Sequence, residues 1–371
     1  MDEQIRRSRV MDGTSWADFC DGLKRAGETI LGPGSPDDPV DRAEGFRYLT
    51  RLTRLALEKY VESDDPLAPR FYRLSHETAK IGCDNPDSYY QNAAVSGLHD
   101  YRISGTRGSV AYLGFGTYYG DYGRSGRSGC SGYLEADQLE IGPDGRFEIV
   151  VSSTPHAGNW LPMEPDTSML IVRQNRLDKE NEEVARLEIE RIGAEGPPAP
   201  LSAADLDERL AAAAGFVSGT AATFARWADG FAEHPNELRP LDESVKQGAH
   251  GDPNIFFYMG YWELAPDEAL IIEVTPPACD YWNFQLNNHW MESLDYRYHR
   301  IDVNRHTARL APDGSLRLIV AHERPADPPA HSNWIDTAGH RRGTMGLRWI
   351  KAASHPRPAT RVVPTSALGS P

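Results

Sequence analysis

One pattern occurs twice along this chain and limits its fold more than any other feature. The first copy runs Pro143-Asp144-Gly145, the strand-like FEIVVSS, Gly158-Asn159-Trp160-Leu161, and then LIVRQ with Arg173. The second runs Pro312-Asp313-Gly314, LRLIVAH, Ser332-Asn333-Trp334-Ile335, and then MGLRW with Arg348. Each copy supplies a Gly-bearing turn, a β-branched strand, an Asn-Trp corner and a second strand in the same order. A duplicated β module is the economical reading. The same logic predicts that the Asn-Trp corners serve packing: Trp fills the end of a sandwich while Asn satisfies turn backbone. Arg173 and Arg348 fall under the same structural expectation.

The chain around these copies is long enough, at 371 residues, for two or three domains with a substantial core. Its formal net charge of −15 argues against a nucleic-acid partner and against an anionic membrane surface. The opening MDEQIRRSRVMDGTSW holds no signal-like apolar run, and no stretch approaches the length of a membrane span. Cys20, Cys83, Cys130 and Cys279 are scattered and form no CxxC. They read as buried free thiols in a reducing cytoplasm, with no metal site and no cofactor expected.

Before the first copy, residues 1–95 read as a helical N-terminal region. One helix covers 15–31, with Ser15 as its cap and Asp18 in the capping-box position; another covers about 40–62. Beside the apolar face of the second runs a basic stripe of Arg47, Arg51 and Arg54, read as a solvated face or a partner for nearby acids. The Cys83-Asp84-Asn85-Pro86-Asp87 segment is a turn. Residues 96–175 form the first β module, with DYGRSGRSGCSG as a flexible loop. Residues 176–248 form a helical insertion, in which Ser202 caps a long amphipathic helix. Residues 249–352 form the second β module, and 353–371 a flexible tail. The fold class is therefore mainly β with α: two repeated β-sandwich or jelly-roll modules, a helical N-terminal region, and a helical insertion between the modules.

Function points most densely to Tyr281–His306, where aromatic residues alternate with large hydrogen-bonding groups. That is the composition of a concave site that stacks a ring and orients it. His299, Tyr298, His289 and Arg305 are the catalytic candidates: His or Tyr as acid or base, Arg as anion stabiliser. Tyr281, Trp282, Trp290, Asn287, Asp295 and Tyr296 are the substrate-binding candidates. The expected activity is cofactor-independent hydrolysis or elimination on a small cyclic hydroxylated molecule such as a sugar, steroid or terpenoid. A hydrolase or lyase is thus favoured. One alternative is a non-catalytic carbohydrate- or small-molecule-binding protein or an assembly protein, since duplicated jelly rolls are good assembly units and a homo-oligomer would follow. The other is a metal enzyme with His289, His299 and His322 as ligands, although no HxH or HExxH spacing occurs. No GxSxG elbow, GxGxxG after a strand or GxxxxGK[ST] is found.

Over residues 250–350, GDPNIFFYMGYWEL, ALIIEVTPP, YWNFQL, PDGSLRLIV and SNWIDTAGHRRGTMGLRW resemble the family catalogued as domain of unknown function 1214 (DUF 1214). RAEGFRYL, DNPDSYY, YRISGTRG and GNWLPMEPD upstream resemble its extended, full-length form. The resemblance implies β-sandwich or jelly-roll modules and carries no catalytic residue. Where relatives often show an Asp-Pro-Gly turn, this chain has Asp327-Pro328-Pro329-Ala330-His331.

Overall fold

The computed structural model describes residues 1–122, 127–326 and 328–368. Part of the predicted glycine-rich loop, Asp327 of the predicted turn, and the last three residues of the predicted tail lie outside that set.

The first module is built from β1 (Ser88–Ala94), β2 (Tyr101–Thr106), β3 (Tyr112–Tyr119), β4 (Gly129–Glu135), β5 (Arg146–Ser152), β6 (Trp160–Pro162), β7 (Met169–Asn175) and β8 (Arg186–Arg191). They form two sheets, in the orders β1-β7-β3-β4 and β6-β5-β2-β8. The second module uses β10 (Ile255–Glu263), β11 (Glu268–Val274), β12 (Tyr281–Leu286), β13 (Asp302–Asn304), β14 (Leu316–Ala321), β15 (Ser332–Asp336), β16 (Arg342–Ile350) and β17 (Ala359–Pro364). Its sheets run β10-β16-β12-β13 and β15-β14-β11-β17, and the short β9 (Arg239–Pro240) extends the first of them. The two topologies are the same strand for strand, down to the parallel pairings β5–β6 and β14–β15. Apolar residues from both sheets meet inside each module: Ile103, Phe115, Ile149 and Val172 in one, Leu270, Phe284, Leu318 and Leu347 in the other. Each module is a β-sandwich.

The repeated turns and corners behave alike at the level of single bonds. Gly145 and Gly314 both have positive φ, at 78° and 82°, as the left-handed position after a tight turn requires. Asn159 Nδ2 donates to the carbonyls of Glu140 and Glu148, and Asn333 Nδ2 to those of Arg309 and Arg317. Trp160 and Trp334 each donate Nε1–H to the carbonyl ending the preceding strand, Ser152 and Ala321. The corners are structural, as expected from their recurrence.

Helices α1 (Glu3–Met11), α2 (Thr14–Ile30), α3 (Pro39–Ala56) and α4 (Ala203–Ala232) pack on one another and on the second module. Their shared core joins Phe19, Tyr48, Leu52 and Phe224 to Met259 and Trp290. α3 runs on as a π-helical turn over Leu57–Glu62, and the short α5 (Glu243–Gly248) precedes β10. Ser15 lies within α2 rather than capping it, and its hydroxyl donates to Asp207 at 2.6 Å. Arg51 of the basic stripe is buried against Glu292 at 2.7 Å, a partner acid of the kind expected.

Three segments depart from the sequence reading. Gly129–Gly132 of the expected flexible loop open β4. RLEIER in the expected helical insertion is β8, and the expected flexible tail contributes β17. Both are edge strands with one face in solvent, so their charged residues match no buried pattern; Arg102–Glu190 and Arg361–Glu273 pairs hold them to their neighbours. Among the described residues, no helix is long and apolar enough to cross a membrane.

Asn333 is 1% exposed, while Asn159 is half-buried. Asn333→Ala should therefore cost about 2 kcal/mol in urea denaturation, and Asn159→Ala about half as much, since the bonds of the former are partly buried and those of the latter are exposed. Equal losses would contradict this account of the corners.

Candidate functional site

The two modules meet through their β1-β7-β3-β4 and β10-β16-β12-β13 sheets, and the contact has local twofold character. Arg173 on β7 lies opposite Tyr90 and Gly114, and Arg348 on β16 opposite Phe257 and Asn283. This register makes the turn before β1, Cys83-Asp84-Asn85-Pro86-Asp87, the counterpart of His250-Gly251-Asp252-Pro253-Asn254 before β10. Cys83 and His250 both adopt left-handed backbone, at φ 55° and 51°. Each arginine reaches across to the other module's turn. Arg348 Nη2 donates to the Cys83 carbonyl, and Arg173 Nη2 donates to the His250 carbonyl at 2.5 Å. The tyrosines that start β12 and β3 cross in the same manner. Tyr281 donates to Asp87 at 2.6 Å, and Tyr112 to Asp252 at 2.9 Å.

Along this seam lies a cavity of about 170 Å³. One wall is apolar, with Phe216, Trp227 and Phe231 of α4 facing Ile171, Phe257 and Met259 of the sheets. The lining also carries the polar side chains of Asn85, Asp252, Arg173, Arg348, His250 and Lys59. Lys59, on the π-helical turn of α3, is buried 2.5 Å from Asp121. Burial opposes its charge, but Asp121 outweighs it and raises the pKa.

The two arginines have no such carboxylate. Arg348 is 5% exposed; Nη1 donates to Gln285 Oε1 at 2.7 Å and to Asn283 Oδ1 at 3.4 Å. Arg173 Nη1 donates to the Tyr118 hydroxyl at 2.7 Å. Among the described residues no carboxylate stands within ion-pair distance of either guanidinium. His250 is buried, edge-on to Tyr118 and tilted against Tyr122. Its Nε2 sits 2.9 Å from Ser128 Oγ and 3.3 Å from the Tyr119 carbonyl oxygen, and the residue lines the cavity. Burial, and then the nearby Lys59, lower its pKa to about 4, so the imidazole is neutral at neutral pH.

None of the ten sequence-predicted site residues lines this cavity. Tyr298 is 78% exposed, and the exposed His299 holds Asp336 Oδ2 at 2.8 Å through Nδ1. Arg305 is spent on the carbonyls of Cys279 and Asp280. His289 is buried, with Nδ1 3.0 Å from the Tyr261 hydroxyl and Trp290 edge-on. Trp290 donates to the Asp41 carbonyl at 2.7 Å, and Trp282 packs against Trp349 in the sandwich core. Asp295 is held down at about 2 by its bonds to Arg297, and Tyr296 lies under the Lys80 ammonium. Asn287 donates to Thr344 and Cys83, and Tyr281 anchors the Asp87 turn. The four proposed catalytic groups thus make no common site, and His289, His299 and His322 do not come together. Among the described residues no cluster of His, Cys, Asp or Glu is placed to hold a metal.

The reason is that β12 is covered on both faces. Trp282, Phe284 and Leu286 fill the sandwich, while Tyr281, Asn283 and Gln285 face the first module's turn. Aromatic–polar alternation there marks an internal interface. Of the cysteines, only Cys83 is fully buried; it lines the cavity, where burial pushes its thiol up to about 12. The signal for the cavity residues was in the duplication itself: both arginines, and both Asx-Pro turns, recur in the two copies.

These features define a duplicated β-sandwich protein with a polar-and-apolar cavity between its halves. Residues 268–353 match the family model described as protein of unknown function (DUF1214), and the chain belongs to that family. A crystal structure of an uncharacterised protein from Burkholderia cenocepacia is 54% identical, with 98% of this chain and 100% of that one covered and a TM-score of 0.94. The VPA0106 protein from Vibrio parahaemolyticus is 11% identical over 86% of this chain and 98% of that one, with a TM-score of 0.49. No curated protein matches the chain significantly.

His250 and His289, both lowered to about 4 mainly by burial, give a pH test. Unfolding restores a pKa of about 6.5, so the unfolded state binds more protons between pH 6.5 and 4, and the stability these groups support falls as pH falls through that window. Buried Glu292 and Asp41, raised to about 7 and about 6 by desolvation, titrate with the opposite sign, so the comparison must be between proteins. His250→Asn and His289→Asn should be less stable than the parent at pH 7.5, and the gap should close by pH 4.5 in urea titrations. A gap independent of pH would show that neither imidazole is held neutral.

Proposed function

We propose that this protein binds a small organic molecule in the cavity between its two modules. The observation that carries this reading is the pairing of an apolar lining with the buried Arg348 guanidinium, which among the described residues has no carboxylate within ion-pair distance. A buried charge left uncompensated is costly in a folded protein, and such groups concentrate where a ligand completes them. Ligand sites commonly combine apolar walls with a few convergent polar groups. The cavity is close in size to an engineered one of about 150 Å³ that takes up benzene, so a single ring is the natural scale of occupant.

General acid/base chemistry on the bound molecule, of the hydrolytic or eliminating kind, falls in this reading to His250 rather than to His299 or Tyr298. Its place on the cavity lining as a neutral ring is the observation that favours it. Carbethoxylation of His250, followed by peptide mapping, should slow when benzamide is present; an unchanged rate would remove His250 from the site. A reducing cytoplasm is the proposed compartment, supported by four free thiols.

Ligand-observed NMR with toluene and benzamide tests the binding reading. The parent should give saturation transfer to both. Ile81→Trp, which narrows the cavity from a half-buried lining position, should reduce it several-fold while leaving the melting temperature within a few degrees. Equal transfer with parent and variant would place these molecules elsewhere and sink the proposal.

A further inference from the structure

The local twofold relation between the modules exposes a charge that one half has and the other lacks. The turn facing Arg173 carries Asp252, 1% exposed, whose carboxylate accepts from Tyr112 and Tyr133. Burial alone would disfavour the Arg173 cation; the field of the Asp252 carboxylate helps restore it. The corresponding position facing Arg348 is Asn85. Its Oδ1 accepts from Asn283 Nδ2 at 3.0 Å, and Asn283 in turn accepts from Arg348. Arg348 is thus buried among a carbonyl and two amide side chains, all neutral, and lines the cavity. The second module's Asp-Pro-Asn becomes Asn-Pro-Asp in the first. The Asp87 that results is already engaged by Lys179 at 3.0 Å, Tyr281 and Asn304.

Resting on the binding reading above, we propose that the natural occupant is a monoanion, a carboxylate on a ring-sized apolar body, with its charge received by Arg348. A carboxylate fits a guanidinium with donors to spare, since three of the five N–H groups have protein acceptors and the planar fork suits two oxygens. It would complete at Arg348 the compensation that Asp252 gives Arg173. The apolar body would rest on Phe216 and Trp227. A dianion is a poorer match, because Asp252 and Asp84 also border the cavity.

The test compares benzoate with benzamide, equal in shape and different in charge, by calorimetric or NMR titration at pH 7.5. The parent should bind benzoate at least about ten-fold more tightly than benzamide. Arg348→Gln should lose that preference. Because Arg348 also holds the Cys83 carbonyl, a second variant guards against misfolding. Asn85→Asp combined with Asp87→Asn gives the first turn the second turn's chemistry at unchanged net charge. It should narrow the preference for benzoate over benzamide about ten-fold or more. Equal affinity of the parent for both probes, both being blocked by Ile81→Trp, would overturn the charge assignment and leave the cavity reading standing. A benzoate preference that survives in both variants would overturn the assignment to Arg348. No binding of either probe at millimolar concentration would overturn both readings.

Discussion

An arginine in each half grips the carbonyl of a left-handed residue in the other. Arg348 to Cys83 and Arg173 to His250 cross the seam between the modules and fix how the two sandwiches meet. Neither half can make these bonds alone. A left-handed non-glycine residue is costly by itself, and both Cys83 and His250 are held in that conformation where the crossing bond forms. Tyr281 and Tyr112 repeat the exchange one layer out. The arrangement is that of a twofold dimer interface, in which each patch contacts its own counterpart, built here within one chain. The cavity follows from it, because the turns and arginines that form the seam also form the polar part of its lining.

Departures from symmetry give the site its character. Gly114 stands where the other half has Asn283, and a side chain there would collide with the Tyr133 hydroxyl that reaches Asp252. Asn85 stands opposite Asp252, and Cys83 opposite His250. One half of the seam is therefore internally neutralised and carries an imidazole; the other keeps an uncompensated guanidinium. α4 closes the assembly with an aromatic face, and the π-helical turn after α3 brings in the Lys59–Asp121 pair.

The β architecture was legible because duplication writes the same turn chemistry twice. Pro-Asp-Gly and Asn-Trp have local reasons to recur, and those reasons hold in both copies. β8 and β17 were not legible, since an edge strand with charged residues on its open face resembles a helix surface or a loose tail. The candidate site was misread for a related reason. Polar groups on a strand suggest solvent or a ligand, whereas Asn283, Gln285 and Asn287 are satisfied by a turn some two hundred residues away. Arg173 and Arg348 were visible as a pair, but their recurrence suggested packing alone. Only the crossed register shows that they meet at one cavity.

A crystal structure of the protein soaked in benzoate tests the central claim most directly, that the seam between the modules is a binding site completed by an anion. The account predicts one benzoate per chain in the cavity, its carboxylate on the Arg348 guanidinium and its ring against Phe216 and Trp227. Benzoate bound only on the outer surface, with ordered water alone around Arg348, would contradict it.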